Sequence, residues 1–238
     1  MKEKAVLLLC VAILFALMPF MLPARSGGQP GDSPVAILHP SMLETGYIFA
    51  IWIAIHAGLL AHAVYGLGQH HSDPAWDQPR TALMAAMFCG TFWLAFAGSN
   101  PVIATGLVLI MLGFALAAAL RAPRVPRWLA LSPIALFAGW TTAAAAAAAG
   151  ITLAGLGWLS DSAAALAGLL AVLVVAVGMQ IRLGPVPEYG AAVILTMIGI
   201  AIASGNATVF WVALAGAAAM AAVTLATARS TSTRPTST

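Results

Sequence analysis

Eight apolar runs divide this chain, at roughly 5–23, 46–66, 81–98, 102–120, 128–150, 163–182, 187–204 and 207–227. Each has about the length that a helix needs to cross a bilayer. In hydrocarbon every backbone N–H and C=O must be satisfied within the protein, so such runs fold as helices. The breaks between them carry turn chemistry: "SGGQPGDSP", "HHSDPAWDQP", "GSNP", "RAPRVPR", "LSDS", "LGPVP" and "SGN". Several are so short that neighbouring helices must run antiparallel. Composition agrees, because 62% of residues are hydrophobic and 7% charged, against about 25% charged in a soluble domain. The chain reads as an all-α, polytopic membrane helix bundle of about eight transmembrane helices. One domain spans 1–228, and 229–238 is expected to be a disordered cytoplasmic tail.

The first run, in "MKEKAVLLLCVAILFALMPFMLPA", has a basic start like a signal peptide. Its apolar stretch of about 18 residues exceeds the usual 7–15. "LPA" is a poor cleavage site, and "LLLC" lacks the small residue that precedes a lipidated cysteine. It reads as a retained helix, and its removal would leave seven spans. With the N-terminus cytoplasmic and eight crossings, nine of the ten Lys and Arg fall on the cytoplasmic side, and only Arg25 falls outside. That bias is what the positive-inside rule expects. It places both termini in the cytoplasm. The basic residues form no patch, so nucleic acid is not an expected partner. Cys10 and Cys89 sit in apolar runs and read as small hydrophobes.

Several absences narrow the function. No acidic residue lies at the centre of a span; Glu44, Asp161 and Glu188 fall near helix ends, whereas ion-coupled transporters keep an ionisable group at depth. Lysine occurs only at positions 2 and 4, which excludes a retinal Schiff base on the last helix. No GxSxG, HExxH, Walker or zinc-type spacing occurs. The chain is read as a non-enzyme, with no catalytic or metal-binding residues assigned.

The aromatic residues leave two readings open. Tyr47, Phe49, Trp52, Phe92, Trp93, Phe210 and Trp211 share one half of the bilayer, with Trp158 in a loop on that side. They could form an interfacial belt or turn inward around a flat apolar ligand. His56 lies ten residues into its helix, about 15 Å deep. It is either a ligand or haem contact, or a core histidine bonded to a carbonyl. His62 does not share its face. His70, His71, Asp73 and Asp77 in "GQHHSDPAWD" match no strong metal template and read as a solvated loop. Small-residue stretches, "TTAAAAAAAGITLAG", "GAAAMAA" and Gly106 with Gly113, are expected at helix–helix contacts, a homodimer contact among them.

"GYIFAIWIAIH" resembles the "GW-x-F-(S/A)-I-W-x-x-I-Y" element of the longer bacterial tryptophan-rich sensory proteins, relatives of the TspO/MBR (translocator protein or peripheral benzodiazepine receptor) family. "SPIALFAGWTTAA" resembles that group's "P-x6-GW-x-x-A" element through Pro133, Gly139, Trp140 and Ala143. His56 stands where the family has tyrosine, and Ala148 where it often has asparagine. The resemblance implies an all-helical bundle without enzymatic turnover that binds tetrapyrroles or other hydrophobic molecules. By that analogy Tyr47, Phe49, Trp52, Trp140 and, in the tyrosine's place, His56 are ligand contacts. Trp93 joins them by its level in the bilayer. The implied ligand is porphyrin-like or haem-like, with no covalently held cofactor. A small-solute permease and an assembly subunit of a larger membrane complex are the alternatives.

Overall fold

The computed structural model describes residues 1–21, 49–97 and 99–229, and within them the side chains of all but Phe49, Ala50 and Leu94. Among these residues the chain is all helix: α1 (Lys2–Met21), α2 (Phe49–Gln69), α3 (Pro74–Ala97), α4 (Pro101–Arg121), a single turn α5 (Arg127–Ala130), α6 (Ser132–Gly155), α7 (Asp161–Leu183), α8 (Pro187–Ala203) and α9 (Ala207–Arg229). Seven are long and apolar enough to cross a membrane. With 17 residues, α8 spans only about 25 Å at 1.5 Å per residue. It is wedged against α6 and α9 and buries Tyr189, Val193, Met197 and Ile200. All eight runs seen in the sequence are therefore long helices. The protein is a polytopic membrane bundle.

The breaks act as read. Asn100 caps α4 through Ile103 N–H, and Pro101 follows it at the first position, where a missing N–H costs nothing. Ser160 caps α7, and the Asn206 side chain accepts from Thr208 and Val209 at the start of α9. Gly184 ends α7 with φ 73°, a left-handed conformation that glycine adopts without a Cβ clash.

The alanine-rich α6 forms the axis, with 18 of its 24 residues buried under α4, α7 and α8. Lipid tails are as apolar as leucine, so close packing through small residues drives helix association. Gly139 is the clearest case: a Cβ there would collide with the Tyr189 carbonyl of α8. Gly190 of α8 lies equally close to Thr224 of α9. Gly106 and Gly113 behave otherwise. A Cβ on either meets nothing within 4 Å, so they are not contacts inside this bundle.

Two boundaries differ from the sequence reading. α3 begins at Pro74, seven residues before the expected 81, because Asp73 Oδ1 accepts the Ala75 N–H at 2.8 Å and starts the helix. Trp76, Asp77 and Arg80 are thus helical. The expected run 128–150 is broken at Leu131 and extends to Gly155. The charges sort cleanly. Lys2, Lys4, Arg80, Arg121, Arg124, Arg127, Arg182 and Arg229 all lie at the end where α1, α3 and α8 begin and α4, α7 and α9 finish. Residues 230–238, which hold most of the expected tail, lie outside the described residues.

Candidate functional site

Trp52 and His56 are four residues apart on α2, so both point off the same face. That face meets α1, α3 and α6. Trp52 lies edge-on to Trp140 of α6 with ring centroids 4.9 Å apart, and 5.9 Å from Trp93 of α3. Trp93 and Trp140 are 5.9 Å apart and nearly perpendicular. His56 is 5.5 Å from Trp52 and 4.6 Å from Phe15 of α1, whose ring also touches Phe137. At these separations the rings touch one another in the tilted and edge-to-face arrangements that aromatic quadrupoles favour.

Two ring nitrogens stand out. His56 Nδ1 bonds the Trp52 carbonyl at 2.7 Å. A carbonyl only accepts, so Nδ1 carries the hydrogen, and Nε2 of the neutral ring keeps its lone pair. Trp140 Nε1–H is buried without a hydrogen-bond partner among the described residues; His56 Nε2 is buried with no partner in good hydrogen-bond geometry among them, and the Phe15 backbone lies beside the ring. Trp140 is 3% exposed. A buried donor without a partner costs about 1–3 kcal/mol. The cluster thus holds one unused acceptor and one unused donor inside an aromatic wall.

Four of the six residues expected at a site, Trp52, His56, Trp93 and Trp140, are brought together. Tyr47 lies outside the described residues; Phe49 opens α2, with its side chain outside them. The other aromatics divide from this group: Trp158 is 73% and Trp211 67% exposed, and Phe92 also faces outward. Those rings face away from the bundle. Phe15 and Phe137 complete the cluster, and sequence reasoning missed both. Their only signal is helical spacing: Phe15 follows Ala5, Leu8 and Ala12 along the buried stripe of α1.

The histidine-rich segment at the basic end is the solvated loop expected only in part: residues 70–73 form a half-exposed turn, and Asp77 lies in α3. His62 and His70 both stack on the Trp76 ring, with centroids 4.9 and 4.7 Å away. His62 Nδ1 donates to the Leu129 carbonyl at 2.8 Å. Asp77 pairs with Lys4 and with Arg80, both at 3.1 Å. Arg80, counted in the sequence only as a charge, is 1% exposed. It donates to the Gly66, His70 and His71 carbonyls at 2.8–3.3 Å. These groups tie α1, α2 and α3 together. Among the described residues no three metal-ligating side chains converge. On the far side of the basic end, Arg127 holds Glu188 at 2.7 Å, and Ser132 donates to the same carboxylate.

The profile of the TSPO-like protein family matches residues 4–226. Comparison with curated proteins and with solved structures returned no match. The match takes in every long helix, including the stretches that carry Trp52, His56 and Trp140. This chain belongs to the TSPO-like protein family.

Proposed function

We propose that this integral membrane protein binds a flat, hydrophobic, tetrapyrrole-like molecule at the junction of α1, α2, α3 and α6, in a sensory or translocating role without turnover. The observation that carries this reading is the cluster of Trp52, Trp93 and Trp140 around two unused polar atoms, Trp140 Nε1–H and His56 Nε2. Indole faces stack on a conjugated plane. The Trp140 N–H suits a carboxylate or carbonyl on its edge. A histidine with Nδ1–H tied to a carbonyl presents its other nitrogen as an acceptor or a metal ligand. A planar guest has to part rings that now touch. Trp52 and Trp93, only partly buried, are the rings to move, while Trp140 stays fixed in the core.

The basic end of the bundle faces the cytoplasm of a bacterial inner membrane in this reading, in keeping with the positive-inside rule. The aromatic cluster is then nearer the opposite surface.

Titration of detergent-purified protein with protoporphyrin tests the site through quenching of tryptophan fluorescence. Trp140→Phe keeps the ring and removes the N–H, and should weaken binding about ten-fold, the worth of one hydrogen bond to a charged group. Equal titration of wild type and variant would sink the assignment.

A further inference from the structure

We propose that the outer groove between α3 and α4 is a binding site for a phospholipid with an acidic headgroup. α3 lines it with Gln78, Thr81, Ala82 and Ala85, spaced i, i+3, i+4 and i+7 and therefore on one face. α4 lines it with Ile110, Gly113, Phe114 and Ala117 at the same spacing, and ends the groove with Arg121. The volume is about 650 Å³. Gly113 and the three alanines keep the floor low, since a Cβ at Gly113 would meet nothing within 4 Å. Ile110 and Phe114, 51% and 41% exposed, stand up as a wall.

The groove is polar at one end only. Arg121, Gln78 and Thr81 cluster at the basic end, and the rest is hydrocarbon. From Arg121 to Ile110 it runs about 16 Å along the helix at 1.5 Å per residue, from headgroup level into the acyl region. Arg121 makes no ion pair or hydrogen bond among the described residues, unlike Arg80, Arg124 and Arg127. A phosphodiester at Arg121 with one acyl chain lying over Gly113 matches this layout. Basic pockets between helices at the cytoplasmic side take acidic headgroups by the same chemistry.

Charge favours lipid over a second copy of the chain. The groove lining contains no acid. Two copies packed groove to groove about an axis along the bilayer normal would set one Arg121 against the other, and like charges so placed are repulsive.

Native mass spectrometry of the full chain in detergent, with phosphatidylglycerol or phosphatidylcholine of matched chains, tests the site. Wild type should retain phosphatidylglycerol about five-fold better, the worth of one basic residue against an anionic headgroup. Arg121→Gln should erase that preference, whereas Arg182→Gln, another exposed cation at the same end, should leave it. Gly113→Leu should fill the floor and reduce retention of both lipids. Equal retention of the two lipids by wild type would overturn the proposal. So would an Arg121→Gln protein that keeps the preference, or a dimer that Gly113→Leu dissociates.

Discussion

A glycine in a transmembrane helix has no fixed meaning; its neighbours decide. Gly139 and Gly113 are both helical, yet one lies under the Tyr189 carbonyl and the other faces open space. Alanine at 139 forces α8 away from α6, and overpacking of this kind costs about 1–3 kcal/mol. Alanine at 113 relieves the poor helix propensity of glycine, by up to about 1 kcal/mol. Gly139→Ala should therefore lower the melting temperature in detergent, and Gly113→Ala should hold or raise it. A similar fall in both would contradict the close approach at Gly139. The apolar pattern around them does not separate the two. "FAGWT" and "MLGFA" look alike, because the difference is made by the Tyr189 carbonyl, fifty residues away in the chain.

At the scale of elements, α1 shows how a helix with little buried surface is held. Its apolar stripe, Ala5, Leu8, Ala12 and Phe15, lies against α2 and α3, and Lys4 pairs with Asp77 at its end. Arg80 anchors the turn to which Lys4 is tied. Removing one partner of a buried, hydrogen-bonded charge pair costs about 3–5 kcal/mol. Asp77 is partly solvated and keeps Lys4 as a partner, so the cost here falls below that range. Arg80→Leu should speed hydrogen exchange at the amides of residues 66–77, and Asp77→Asn should do so less. Protection unchanged in both variants would remove Arg80 from this role. The sequence showed where the helices lie because apolar length and turn residues are local properties. It misplaced the start of α3 by seven residues because "SDPAWDQPR" contains two prolines and three charged groups. Each of these looks like loop until Asp73 is seen capping the helix and Arg80 is seen buried.

For the whole molecule, the sorting of charge is the organising fact. Eight described Lys and Arg share one end, so the bundle has an electropositive face and a face without Lys or Arg among the described residues. In a background with Cys10 and Cys89 replaced, a single cysteine at Gln69 should resist an impermeant maleimide in intact cells. One at Gly205, at the opposite end, should react. The reverse pattern would invert the proposed orientation and move the aromatic cluster toward the cytoplasm.

The sequence by itself determined that this protein is a membrane bundle, with eight long helices among the described residues, how they alternate, and which family its two tryptophan elements resemble. Those properties depend on runs of residues against a slab of known thickness, and need no knowledge of which helix touches which. Only the tertiary structure decided that Trp52, Trp93 and Trp140 turn inward while Trp158 and Trp211 turn out. It also decided that His56 spends one nitrogen on its own helix and keeps the other. In lipid both sides of a helix are apolar, so hydrophobicity no longer distinguishes inside from outside. That choice is made by side-chain size and by the few polar atoms that must find partners, and both are settled across helices rather than along them.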